Sequence, residues 1–232
     1  MNAPPPRSPR ALLLPYALPY LVYAGLGSLF DGRTQPLALY GGRAVLVVAA
    51  LAWGVRVWLP LRGPRGLSAS VALGAAAGLV GTAIWIALAT PFANANALPW
   101  DDSAWLAHSL VATALAPLVE EPLMRGYVLG LVLLYERARR AGATEPLAEA
   151  LERGSLGAIA PGQWSVLALV ASTGLFAAGH ASAEWLAAAA YGLLMCGLWI
   201  ARGDLVSCVC AHAVTNAALA VYVRATGSWA LW

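Results

Sequence analysis

At 232 residues, 60% hydrophobic and only 11% charged, with a mean hydropathy of +0.70, the chain has too little polar surface for a soluble globule. Several apolar runs of about twenty residues match a bilayer's thickness, so the expectation is an all-α polytopic transmembrane bundle of about seven to eight helices, one integral membrane domain over residues 1–232. The net charge of +3 says little about partners; membrane lipids are expected and nucleic acid is not. Cys196, Cys208 and Cys210 are odd in number and fall within predicted spans, which argues against a disulfide framework and for packing roles. All fourteen basic residues are arginine, which with the Ala, Leu and Gly usage points to a GC-rich bacterial genome and so to a bacterial inner membrane.

In chain order, the proline-rich "MNAPPPRSPR" leads into "ALLLPYALPYLVYAGLGSLF". No small-residue cleavage site follows, so this reads as an uncleaved first span that Pro15 and Pro19 kink. Further spans are predicted over residues 44–61, 69–90, 104–135, 165–180, 184–201 and 205–224. The segment 104–135 is awkward: at about 1.5 Å per residue it would run roughly 48 Å, too long for one upright crossing and short for two. Pro117 and Pro122 flank Glu120 and Glu121 there, so a long helix broken or kinked around Glu120 is expected. The loop 141–162 holds "EPLAEALERG", read as a short cytoplasmic surface helix. Arginines after alternate spans (Arg62 and Arg65, Arg137 to Arg140, Arg202) join Arg7 and Arg10 on one side, which predicts a cytoplasmic N-terminus; Arg33 and Arg43 oppose that scheme.

The stretch "LAPLVEEPLMRG" sets three charges between apolar runs. Facing lipid they would cost on the order of 8 kcal/mol, so they must face inward. Glu121 and Arg125 are four apart with the acid first, the favourable order for an ion pair. Glu120 points about 100° away and is free for another task, such as that of a general base in a dry cavity. His180 ends "GLFAAGH", one turn after Phe176; His212 and Asn216 lie four apart on one face in "CAHAVTN". Each alone is more often a structural hydrogen-bonding group, yet a carboxylate, two imidazoles and an amide together can activate water and hold an oxyanion.

"EEPLMR", "FAAGH" and "HAVTN" stand in the order and spacing of Glu-Glu-x-x-x-Arg, Phe-x-x-x-His and His-x-x-x-Asn. In these the chain resembles the CPBP family of intramembrane proteases, which includes the type II CAAX prenyl endopeptidases and bacteriocin-immunity relatives. The resemblance covers a core of residues 104–216, built from the kinked fourth helix and the last three. The C-terminal "AVYVRATGSWALW" is similar to the exosortase-associated CAAX protease-related subgroup. The family likeness implies that Glu120 and His180 activate water, that His212 and Asn216 stabilise the oxyanion, and that Glu121 and Arg125 form the supporting pair. The implied substrate is the peptide tail of a lipidated or membrane-anchored protein. It leaves the cofactor open: none is required, or Glu120, His180 and His212 hold Zn2+ with one open position. Pro122 departs from the family pattern, which more often has a bulky apolar residue there, so local helix geometry is a point for the structure to decide.

A non-proteolytic scaffold or bacteriocin-immunity factor that binds a peptide tail is the alternative. A transporter would predict inverted repeats, and none is evident. His108, near the predicted interface and in no motif, is read as structural; Asp204 in "ARGDL" resembles the Gly-Asp half of an intramembrane aspartyl protease motif but lacks a partner aspartate within a span; and tryptophans including Trp85, Trp105 and Trp185 are read as an aromatic belt.

Overall fold

The computed structural model describes residues 7–94 and 96–232, and all regular structure among them is helical. The start of "MNAPPPRSPR", residues 1–6, lies outside the described residues. Ten α-helices follow in order: α1 Pro9–Leu29, α2 Gly42–Gly54, α3 Leu67–Ala89, α4 Asp102–Ala114, α5 Ala116–Glu121, α6 Leu129–Arg140, α7 Pro146–Arg153, α8 Val166–Ala178, α9 Trp185–Arg202 and α10 Leu205–Thr226. Among the described residues, four stretches are long and apolar enough to cross a membrane: Leu37–Val57, Leu67–Phe92, Ser182–Arg202 and Leu205–Thr226. The surface helix expected in 141–162 is α7.

Prolines shape the helices that carry the polar residues. In α1, Pro19 has no N–H to offer the Pro15 carbonyl, and Trp58 Nε1 donates to that oxygen instead at 3.0 Å. The long acidic segment is interrupted twice. It breaks at Leu115, before Pro117, and α5 then passes into a π-helical turn over Pro122–Val128. Pro122 cannot donate to the carbonyl four residues back, and the ladder widens to a Leu129 N–H bond on the Met124 carbonyl. The departure at Pro122 therefore produces a widened turn and keeps the acidic pair on a helix.

α3 and α10 form the tightest seam. A methyl group at Gly74 would come 2.6 Å from the Ser207 carbonyl, and one at Gly78 2.5 Å from that of Ala211, so only glycine permits this approach. Thr215 Oγ1 adds a hydrogen bond to the Gly78 carbonyl at 2.8 Å. At one end of the seam Gly203, at φ +66°, turns the chain from α9 into α10, and Asp204 caps α10 by accepting from Ser207 N at 2.8 Å. The other Asp204 oxygen accepts from Ser70 Oγ at 2.6 Å, and Arg202 donates to Ser70 Oγ at 2.9 Å. This buried network ties α3, α9 and α10 together and gives Asp204 a structural role. Cys196 and Cys208 are buried and unbridged. Trp185 is half exposed, as a belt residue would be, but Trp85 is 7% exposed and packs inside the bundle on Tyr191 and His180.

Candidate active site

The break at Leu115 frees α5 to take its own direction, and its last two residues diverge. Glu120, 9% exposed, faces a partly open cavity of about 360 Å3. Among the described residues nothing hydrogen-bonds its carboxylate. His180, His212 and Asn216 line the same cavity, so the structure brings all four sequence-predicted residues to one chamber from three separate elements.

Glu121 turns the other way and is fully buried. Its Oε2 lies 3.2 Å from Arg125 Nη1, the i,i+4 pair anticipated from spacing. Arg125 Nη2 donates to the Gly192 carbonyl at 3.0 Å, and the guanidinium stacks 5.0 Å from the Phe176 ring centre. The second Glu121 oxygen accepts from His212 Nδ1 at 2.9 Å, a contact that the spacing did not indicate. Glu121 thus joins α5, the π-helical turn and α10 in one charge network.

Both imidazoles are held by their δ nitrogens. His180 follows Gly179 at the end of α8, where its Nδ1 donates to the Phe176 carbonyl at 2.9 Å; a carbonyl only accepts, so a proton sits on Nδ1, and in the neutral ring Nε2 keeps a lone pair. Its ring lies against Trp85 and Phe176, with centroids at 5.3 and 4.8 Å. His212 likewise carries its proton on Nδ1 toward the carboxylate. Its Nε2 is therefore a donor only in the doubly protonated form. Asn216 spends one amide N–H on the Ala112 carbonyl, at 2.9 Å, in the turn before the Leu115 break. Among the described residues its other N–H has no partner.

His108 and Arg43 are among the further residues that line the chamber without having been read as site residues. His108, read as structural, stacks among Tyr40, Trp100 and Trp232 with centroids 4.7–5.2 Å away and borders the cavity. Arg43, a topological exception in the sequence, also lines it. The set Glu120, His180 and His212 does not gather into a metal-binding cluster; among the described residues no three His, Cys, Asp or Glu side chains do. As placed, these side chains do not fit a zinc ion.

An apolar helical bundle that turns a carboxylate, two imidazoles and an amide toward one chamber has the architecture of a membrane-embedded hydrolase. A sequence profile of the type II CAAX prenyl endopeptidase Rce1-like family matches residues 102–218, half of the chain, and the chain belongs to that family. No curated protein and no solved structure matches it. At family level this is a membrane protease whose surroundings are lipid and whose substrates are peptides. The matched region runs from α4 into α10 and includes Glu120, Glu121, Arg125, His180, His212 and Asn216; Arg43 lies outside it.

Proposed function

We propose that this chain is an intramembrane endopeptidase that cleaves a peptide bond near the C-terminal tail of a lipidated or membrane-anchored protein, using a water activated by Glu120 and His180. The observation that carries the reading is the Glu120 carboxylate, without a hydrogen-bond partner among the described residues, in a chamber it shares with two histidines and an asparagine. Such a carboxylate takes the proton of a water as that water attacks the scissile carbonyl carbon. His180, its Nδ1–H committed to Phe176, offers the Nε2 lone pair to the same water. The carbonyl oxygen becomes an oxyanion and accepts from the second Asn216 N–H and, in the doubly protonated form of His212, from its Nε2–H. Collapse of the tetrahedral species breaks the C–N bond, and the proton held by Glu120 passes to the leaving amine. Glu121 and Arg125 support His212 and touch no substrate.

The catalytic unit in this reading is residues 104–216 within a single integral membrane domain. The site of action is a bacterial inner membrane with the N-terminus in the cytoplasm. Arginine placement supports that orientation: Arg10 pairs with Glu152, Arg65 donates to the Ala201 carbonyl and Arg202 to that of Gly66, all at one end of the bundle. The opposite end carries Asp31, Asp101 and Asp102 together with Arg33, which donates to the Leu98 carbonyl, and Arg224, which pairs with Asp102.

The test is a comparison of membrane-protein C-termini in cells that carry the native chain or Glu120→Gln. Truncated tails that vanish with Glu120→Gln, at equal protein levels, support proteolysis and identify the substrate. An unchanged set of C-termini together with retained biological activity indicates a scaffold or immunity factor that binds the tail without cutting it.

A further inference from the structure

Arg43 and Glu184 line the chamber and have no part in the hydrolytic reading; the Glu184 carboxylate accepts from the Ala181 N–H, and Arg43 is the guanidinium left over. It is the second residue of α2, inside the apolar stretch Leu37–Val57, and it departs from the arginine pattern that sets the bundle's orientation. An arginine at such depth carries a cost that headgroup anchoring does not explain here.

The protein holds this side chain in a defined pose. Nε donates to the Tyr23 carbonyl at 2.9 Å, and the guanidinium packs 4.6 Å from the Tyr23 ring centre and 5.8 Å from that of Tyr40. Nη2 rests so close to Gly27 that a methyl group there would collide with it. Among the described residues no carboxylate pairs with Arg43 and neither terminal nitrogen is hydrogen-bonded. The other guanidinium near the site, Arg125, is wholly buried and committed to Glu121. A half-buried, pre-oriented planar fork with free N–H donors in a sheltered chamber matches a carboxylate better than any other group a peptide offers.

We infer that Arg43 binds the C-terminal carboxylate of the peptide, so that the chamber reads the chain end and sets the scissile bond a few residues from it. The inference rests on the hydrolytic reading for the position of that bond. A cavity of about 360 Å3 suits a short tail rather than a folded segment. An internal peptide segment has no carboxylate to offer and leaves Arg43 without a partner.

The test uses the full-length Glu120→Gln protein in phosphatidylcholine nanodiscs. The probe is a dansyl peptide ending in a farnesylated cysteine and three apolar residues, made as the free acid and as the C-terminal amide. The acid is expected to bind about ten- to a hundredfold more tightly, the range for one charge-assisted contact. Adding Arg43→Gln should reduce acid affinity to that of the amide and leave the amide unchanged, which also shows that the variant is folded; Arg43→Lys should retain part of the preference. Equal affinities, a preference that survives Arg43→Gln, or binding of neither form overturns the inference. So does a loss on Arg43→Gln that hits acid and amide alike and occurs only with phosphatidylglycerol present, which marks a lipid-headgroup site. With native Glu120, acid-selective binding without cleavage would sink the hydrolytic reading and leave the anchor standing. Equal cleavage of acid and amide would do the reverse.

Discussion

Glu121 Oε1 accepts from His212 Nδ1 at 2.9 Å although 91 positions separate the two residues, and its other oxygen faces Arg125 at 3.2 Å. One buried carboxylate thereby answers a guanidinium and aims an imidazole. Two acids stand side by side because they do different things: one is enclosed by protein and one is open to the chamber.

Neutralising Glu121 leaves Arg125 buried without a counter-charge, which costs about 3–5 kcal/mol. Glu121→Gln is expected to lower thermal stability in detergent strongly, and Arg125→Met added to it to recover most of the loss. Activity should stay at least about a hundredfold down in the double variant, because His212 then lacks the charge that supports its doubly protonated form. Recovery of full peptidase activity would mean that Glu121 serves only as the partner of Arg125.

The α3–α10 seam depends on backbone proximity at Gly78. Gly78→Val forces the helices apart at the level of Thr215 and His212, with an expected loss of about 1–3 kcal/mol by overpacking. Melting curves measure it; a variant as stable as the native chain would contradict the close packing.

Asp204→Ala removes the cap of α10 and one partner of the Ser70 and Arg202 network. The expected result is a stability loss of about 1–3 kcal/mol with cleavage position unchanged. A specific loss of turnover at normal stability would instead make Asp204 part of the chemistry.

Outside the bilayer, Asp101 caps α4. The Ser103 hydroxyl at 2.7 Å and the Ala104 N–H at 2.9 Å hold its carboxyl below the usual carboxylate range. With the folded value lowered, the contribution is present above the unfolded carboxylate range and is lost as pH falls through the folded value. The difference in melting temperature between native protein and Asp101→Asn should therefore shrink on acidification below the carboxylate range. A difference independent of pH would contradict it.

Local spacing made the Glu121–Arg125 pair legible, because i,i+4 geometry belongs to a single helix. The shared chamber of Glu120, His180, His212 and Asn216 followed from family motifs rather than from periodicity. The His212–Glu121 contact was not legible, since it depends on how α10 is rotated against α5. Arg43 was visible as an exception in the charge pattern, but its place in the chamber depends on how α2 packs beside α1. His108 illustrates the same limit: an aromatic stack drawn from distant segments surrounds it, and no local pattern marks that. The helix break fell at Leu115, some residues before the acidic pair, because the Pro117 ring disturbs the turn that precedes it.

The central claim is that Glu120 supplies the base for peptide hydrolysis within the membrane. Purified full-length protein in liposomes, native or with Glu120→Gln, is assayed on the farnesylated peptide acid by mass spectrometry of the released tail. The account predicts release by the native protein and a fall of about 10²- to 10⁴-fold in Glu120→Gln with unchanged peptide binding. Turnover by Glu120→Gln within a fewfold of native would contradict it.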